Sequence, residues 1–223
     1  MCVLLFVLAL TSSVLAQAPV PNKPPGFVLQ SGSNVSHVAI DAFYDLLCPY
    51  SKANWPVLLN VIQHFKSQVE VRLHLCPLPY HHHAFFTANA AHIVANINPD
   101  VYPKFVSLMF DHQEDLSSKA VNLTESQVRQ RISDIVGAGN LGISSEEMMK
   151  MFGNETIKIE AILAWVYAVG RTINGTPMFV VNGMISLEAS GFNTSDWINF
   201  VDDLLHPIDK VDNVNSNQFM GLT

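Results

Sequence analysis

The sequence predicts a mixed α/β fold that contains a parallel strand pair, a block of helices and a late hairpin. Three observations lead to this prediction. An apolar, strand-like run over 38–44 breaks into a helix and is followed by an alternating run over 69–75. A helical pattern then continues over about 84–153. Finally, Asn182 and Gly183 separate two apolar runs, which is a strong hairpin signal.

Composition bounds the size of the core and the kinds of partner. The chain has 223 residues, of which 49% are hydrophobic and 14% charged, so it can bury one sizeable core. Its formal net charge is −7 at pH 7, and the lysines and arginines are scattered. Neither a nucleic acid nor an anionic membrane surface is therefore an expected partner. The oligomeric state is not indicated.

The N-terminus has the features of a secretory signal. Residues 1–16 form an uncharged apolar stretch that ends in small residues, although the usual basic start is missing. The stretch is too short to cross a bilayer, so we expect a secreted protein without a membrane anchor. Cleavage after Ala16 would remove Cys2. Residues 17–26 are rich in proline and predict an extended leader.

The folded domain is predicted over 27–206. Residues 27–29 indicate a short edge strand, whereas 38–44 indicate a central strand because this run is apolar nearly throughout. A helix over 49–65 follows, with Pro49 in its first turn, where a missing N–H has no cost. Its apolar face contains Val57, Leu58, Val61, Ile62 and Phe65.

The strand predicted over 69–75 completes a strand–helix–strand unit. Such a unit implies a right-handed crossover with the two strands parallel, so both strands end at the same edge of the sheet. Cys48 and Cys76 follow these strand ends, and we therefore expect them to lie near each other.

The second half of the chain is mainly helical. Thr124 is a predicted N-cap, and a polar tail is expected over 207–223. The predicted helices cover 85–97, 101–112, 125–136, 144–152, 155–169 and 194–205. The hairpin strands are predicted over 178–181 and 184–187.

Cys48 is the main candidate for chemistry because it stands where a strand gives way to a helix. First-turn amides lack intrahelical acceptors, and the helix dipole is positive there, so a sulfur at this position favours the thiolate. Ser51 replaces the second cysteine of a dithiol motif, and its hydroxyl could donate to the thiolate. The competing interpretation is that Cys48 is a relic in a redox-inactive fold.

Three segments resemble the DsbA-like family of the thioredoxin fold. Residues 43–51 read Phe-Tyr-Asp-Leu-Leu-Cys-Pro-Tyr-Ser and resemble the family's motif except at the last position. Residues 76–85 resemble the segment that leads into the family's helical insertion, and 175–183 resemble its cis-proline loop and hairpin. More narrowly, the chain resembles a group of secreted eukaryotic DsbA-like proteins with a Cys-Pro-X-Ser motif.

The resemblance covers about 27–205 and implies a thioredoxin-like fold with a helical insertion over about 84–153. It implies that Pro177 is cis and that Thr176 presents its backbone to an extended peptide beside Cys48. Pro49 and Tyr50 belong to the substrate site that it implies. The implied activity is thiol–disulfide exchange.

A single local thiol limits the kinds of thiol–disulfide exchange that the chain could perform. We predict mixed-disulfide capture or isomerisation through Cys48, assisted by Ser51, on extended polypeptide or thiol substrates. One alternative is a redox-inactive module that holds peptides in the same groove. A weaker alternative is a glutathione-dependent isomerase or transferase, with glutathione as co-substrate; no other cofactor is expected.

Cys76 and Asp45 each allow two interpretations. Cys76 could be a resolving thiol or disulfide partner of Cys48, because adjacent strands lie about 4.8 Å apart. A buried structural cysteine is the favoured interpretation. Asp45 is either a solvated loop carboxylate, which we favour, or a proton acceptor near the thiol.

The histidines near Cys76 do not have the spacing of a known zinc site, so no metal is expected. We predict a polar connection in which one histidine is close enough to influence Cys48. These histidines are His74, His81, His82 and His83.

Glycosylation sequons agree with a secretory route. Pro177 follows the Asn174 sequon closely and should hinder its use. The expected sites are therefore Asn34, Asn122, Asn154 and Asn193.

Overall fold

The structure, a computed structural model, describes Val20 and residues 25–33 and 38–206. The predicted signal peptide, most of the proline-rich leader, the Asn34 sequon and the tail over 207–223 lie outside the described residues.

A five-stranded mixed sheet forms the centre of the molecule, in the order β1-β3-β2-β4-β5. Strand β2 pairs in parallel with β3, while β1 on β3, β4 on β2 and β5 on β4 are antiparallel. The predicted edge and central positions are thus confirmed. The strands are β1 Phe27–Gln30, β2 Val38–Tyr44, β3 Val69–Leu75, β4 Met178–Val181 and β5 Met184–Ser186.

Helix α1, Pro49–Phe65, joins β2 to β3 as predicted, with Pro49 in the first turn. Its buried face differs in part from the predicted one, because Val57 and Ile62 are only half-buried. The face that meets the core also includes polar Ser51 and Asn54. Asn54 can be buried because its side chain accepts a hydrogen bond from the Tyr44 hydroxyl, a partner that helical periodicity does not reveal.

The helical insertion follows β3. Thr124 caps α5 in a capping box with Gln127, which confirms the predicted cap. The short helix α4 was not predicted, because it is a single turn with no apolar period. The insertion contains α2 Ala84–Ile97, α3 Tyr102–Asp111, α4 Gln113–Leu116, α5 Glu125–Ala138 and α6 Ser145–Met151.

Two further helices complete the chain: α7, Glu155–Val169, and α8, Thr194–Leu205. Neighbouring residues of β2 point to opposite faces of the sheet. Tyr44 accordingly belongs to the large core, and Phe43 to a smaller cluster that includes Ala168 of α7. Among the described helices, none is both long and apolar enough to cross a bilayer.

Candidate thiol site at the start of helix α1

Cys48 is the N-cap residue of α1, and 3% of its surface is exposed. Its thiol donates a hydrogen bond to the backbone carbonyl of Thr176, with Sγ and O 3.2 Å apart. The sulfur makes no capping bond to the first-turn amides within the described part of the chain. This differs from the expected sulfur–amide contact, since the thiol donates its proton to a carbonyl and its protonated sulfur is only a weak acceptor for an N–H.

The loop before β4 brings Thr176 and Pro177 to the sulfur. The Thr176–Pro177 peptide bond is cis, and Pro177 is buried. Because Met178 pairs with Phe43 of β2, this loop lies beside the strand end from which the Cys48 loop departs. The hydroxyl oxygen of Thr176 is buried without a hydrogen-bond partner among the described residues.

Ser51 is fully buried one turn into α1. Its hydroxyl accepts a hydrogen bond from the backbone N–H of Asp45 at 3.4 Å. Ser51 therefore helps to hold the loop before Cys48, and its own proton is not used in that bond. Donation to a Cys48 thiolate stays a prediction.

Two exposed tyrosines belong to segments next to the site. Tyr50, which sequence reasoning placed in the substrate site, is 73% exposed, and Tyr80 is 69% exposed. The pKa of the Tyr80 hydroxyl is raised by partial desolvation and then by its proximity to the acidic groups of Cys48, Asp45 and Cys76. Tyr80 thus borders the thiol site, although nothing in its sequence context indicated this.

Asp45 is not a solvated loop carboxylate, which corrects the favoured interpretation. It is 1% exposed, and it accepts hydrogen bonds from the N–H groups of Leu47 and Leu78, each at 2.8 Å. His81 Nδ1 lies 2.7 Å from its Oδ2 atom. Burial raises the pKa of Asp45, and these hydrogen bonds and His81 oppose that rise. The sequence could not show this burial, because Leu78 and His81 belong to a distant loop.

Gln113, the first residue of α4, was missed by sequence reasoning. Its buried side-chain amide donates to the carbonyls of Leu46 and Cys48, each at 3.0 Å. The helical insertion is therefore joined directly to the loop that carries Cys48. No local pattern marks this role, which depends on a long-range contact.

Cys76 is 1% exposed and belongs to the smaller apolar cluster with Phe43 and Leu78. Desolvation and then the charge of Asp45 raise its pKa to about 11. Both Cys48 and Cys76 are free thiols in the structure. These surroundings suit a structural cysteine, and a resolving role stays a prediction.

The histidines separate into different environments. His81 is hydrogen-bonded to Asp45, and His82 is exposed. The ring of His74 stacks against those of Phe43 and Tyr167. No cluster of metal-ligating side chains occurs among the residues that the structure describes.

Two of the predicted sequon asparagines act as helix caps. Oδ1 of Asn154 caps α7, and Oδ1 of Asn193 caps α8. Both residues are exposed, as is Asn122. Glycosylation at these positions stays a prediction.

Comparison with known proteins establishes the fold. Neither a protein-family model nor a curated protein sequence matches this chain. Solved structures do match. A candidate protein-disulfide isomerase from Pseudomonas syringae has a TM-score of 0.67 at 17% identity, covering 79% of this chain and 97% of that one.

Two further matches have the same architecture. BdbD from Bacillus subtilis, in its oxidised form, has a TM-score of 0.62 at 17% identity over 82% of this chain and 99% of its own. The thiol-disulfide exchange protein alpha-DsbA2 from Wolbachia pipientis has a TM-score of 0.60 at 17% identity over 80% and 87%. The predicted DsbA-like thioredoxin fold with a helical insertion is thereby confirmed.

Proposed function

We propose that the protein is a secretory-pathway thiol–disulfide exchange protein that acts through the single thiol of Cys48. The observation that carries this proposal is the position of the Cys48 sulfur, at the start of α1 and 3.2 Å from the carbonyl of Thr176, the residue before Pro177. The structural matches to proteins described as thiol-disulfide exchange and disulfide isomerase proteins support the same class of reaction.

The exchange begins with ionised Cys48. Its sulfur attacks one sulfur of a substrate disulfide, so that a Cys48–substrate bond forms while the substrate's own bond breaks. The leaving sulfur takes the bonding electrons and a proton. A second thiol, from the substrate or from glutathione, then attacks the mixed disulfide and releases Cys48.

Isomerisation or capture fits this site better than net oxidation. Ser51 cannot form a disulfide, and Cys76 is buried with a pKa raised to about 11, so neither is suited to resolve the intermediate rapidly. A thiol from outside the chain must do so. The final products then contain as many disulfides as the reactants.

The proposed substrate is an extended polypeptide segment. When Cys48 loses its proton, the Thr176 carbonyl loses its hydrogen-bond donor and becomes available to a substrate N–H, as in strand addition. The exposed rings of Tyr50 and Tyr80 offer apolar contacts to substrate side chains. Deprotonation would thus prepare both the nucleophile and the peptide-binding carbonyl.

The test is exchange with a disulfide-bonded peptide that carries a fluorophore and a quencher. We expect the wild-type chain to separate the two halves and to form a peptide adduct at Cys48, and Cys48→Ser to form none. The absence of a wild-type adduct, together with equal peptide binding by both proteins, would favour the binding module, an option consistent with the low exposure of Cys48.

A further inference from the structure

Asp45 holds His81 beside the loop that carries Cys48. Its Oδ2 atom accepts hydrogen bonds from the backbone N–H of Leu78 at 2.8 Å and from His81 Nδ1 at 2.7 Å. Its Oδ1 atom accepts from the N–H of Leu47, and its backbone carbonyl accepts from the N–H of Cys48 at 3.0 Å. The buried Asp45 therefore fixes both the loop that carries Cys48 and the imidazole ring of His81.

The ring of His81 is arranged for proton exchange. Because the Asp45 carboxylate accepts at Nδ1, this nitrogen carries the proton of the neutral ring and Nε2 keeps a free lone pair. Nε2 has no hydrogen-bond partner among the described residues, and 20% of the side chain is exposed. Proteins use such a carboxylate-oriented imidazole as a general acid and base.

The other histidines of this region are not placed for the same role. His74 also bonds a carboxylate, but its ring is 2% exposed and stacks against Phe43 and Tyr167. His83 is buried, with Nε2 bonded to the Ala120 carbonyl at 2.9 Å. His81 combines a carboxylate partner in the loop that carries Cys48 with contact to solvent.

We propose that His81, oriented by Asp45, carries the proton during thiol exchange at Cys48, an inference that rests on the function proposed above. The Cys48 thiol gives its proton through water to His81 Nε2, and Sγ attacks the substrate disulfide. As the new S–S bond forms and the old one breaks, the leaving sulfur takes the electron pair and receives the proton from His81. One thiol and one disulfide are converted into another such pair, so no external oxidant is required.

The leaving sulfur determines how much a proton carrier matters. A basic alkyl thiol such as glutathione leaves slowly unless it is protonated, whereas an acidic aromatic thiol leaves readily as the anion. Titratable groups close to His81 and Asp45 include Cys48, Cys76 and Tyr80. Because the two disulfides are compared at a single pH, the ionisation of these groups is the same in both reactions.

The experiment measures the reaction of the reduced full chain with glutathione disulfide and with dithiobis-nitrobenzoate, a disulfide of an acidic aromatic thiol. Rates of a Cys48→Ser variant are subtracted, because Cys2 and Cys76 can also react. We expect His81→Gln to slow the glutathione reaction by about tenfold or more and to slow the aromatic reaction clearly less, because an acidic leaving thiol does not need the proton that His81 returns. His82→Gln, which alters the exposed neighbouring ring, should slow neither.

Equal slowing of both reactions by His81→Gln would overturn the inference, because His81 would then not deliver the proton to the leaving sulfur. An unchanged glutathione rate would overturn it as well. Failure of wild-type Cys48 to react with either disulfide would overturn the proposed function itself, so the two failures are distinguishable. Glutamine can keep a hydrogen bond to Asp45, and the circular dichroism spectrum of the variant should match that of the wild type.

Discussion

At the residue scale, buried polar side chains fix the loop that carries Cys48. Asp45 accepts hydrogen bonds within this loop and from the loop after β3, Ser51 accepts from Asp45, and Gln113 donates to Leu46 and Cys48. Buried polar groups must find partners, and here those partners include backbone groups of the loop itself. The position of the sulfur therefore depends on side chains that do not react.

The amide of Gln113 gives a direct test of this dependence. Gln113→Leu removes two hydrogen bonds and leaves the Leu46 carbonyl without this donor, so we expect a loss of about 1–3 kcal/mol in the free energy of unfolding. Alkylation of Cys48 by iodoacetamide should also change in rate. Urea denaturation and timed mass spectrometry measure the two effects.

Gln63→Leu is the matched control, because Gln63 is exposed on α1 and its replacement should leave both quantities nearly unchanged. If Gln113→Leu behaved like this control, the amide would not hold the loop.

Cys76 predicts a loss of stability in alkaline solution. Burial raises the folded-state pKa to about 11 from an ordinary value of 9.0, so the folded chain favours the neutral thiol. The stability that the buried neutral thiol contributes is fully present below the ordinary pKa of 9.0. It is lost as the pH rises through the raised folded-state pKa. Between about pH 8 and pH 10.5, the wild type should lose more stability than Cys76→Ala, as measured by urea denaturation. Parallel decreases in both proteins would show that the thiol is not responsible.

At the element scale, local patterns located most of the fold. The apolar run of β2, the alternation of β3 and the position of Pro49 identify the strand–helix–strand unit with the observed bounds, because these signals lie within the elements themselves. Helix α4 was missed since a four-residue helix has no period to detect.

Burial of polar residues was the main failure. Ser51, Asn54 and Asp45 are buried because their partners come from other parts of the chain, and such pairings are invisible in a local pattern. The family resemblance placed Thr176 beside Cys48, and the structure brings the two together. The contacts of Gln113 are long-range, so no sequence pattern indicated them.

Asn193 combines a helix cap with a predicted glycosylation site, and two substitutions separate these roles. Asn193→Ser removes the sequon and keeps a good capping oxygen, so stability of the unglycosylated chain should hold. Asn193→Ala removes both and should lower the free energy of unfolding by about 1 kcal/mol. Chemical denaturation of bacterially expressed variants measures the cap. Equal stability of the two variants would contradict the capping role.

At the scale of the whole molecule, the thiol site forms where distant segments meet. The loops after β2 and β3, the loop before β4 and helix α4 of the insertion each contribute a contact to it. The central position of β2 between β3 and β4 brings the three loops to one region. The site is therefore a property of the complete fold, and selective reaction of Cys48 should disappear when the protein is unfolded.

The most direct test is to expose the native full chain to glutathione disulfide and to map its cysteines by mass spectrometry without reduction. The proposed function predicts glutathione on Cys48, released by added thiol, while Cys76 stays a free thiol. A Cys48–Cys76 disulfide, or an unmodified Cys48 under conditions in which the unfolded chain reacts, would contradict it.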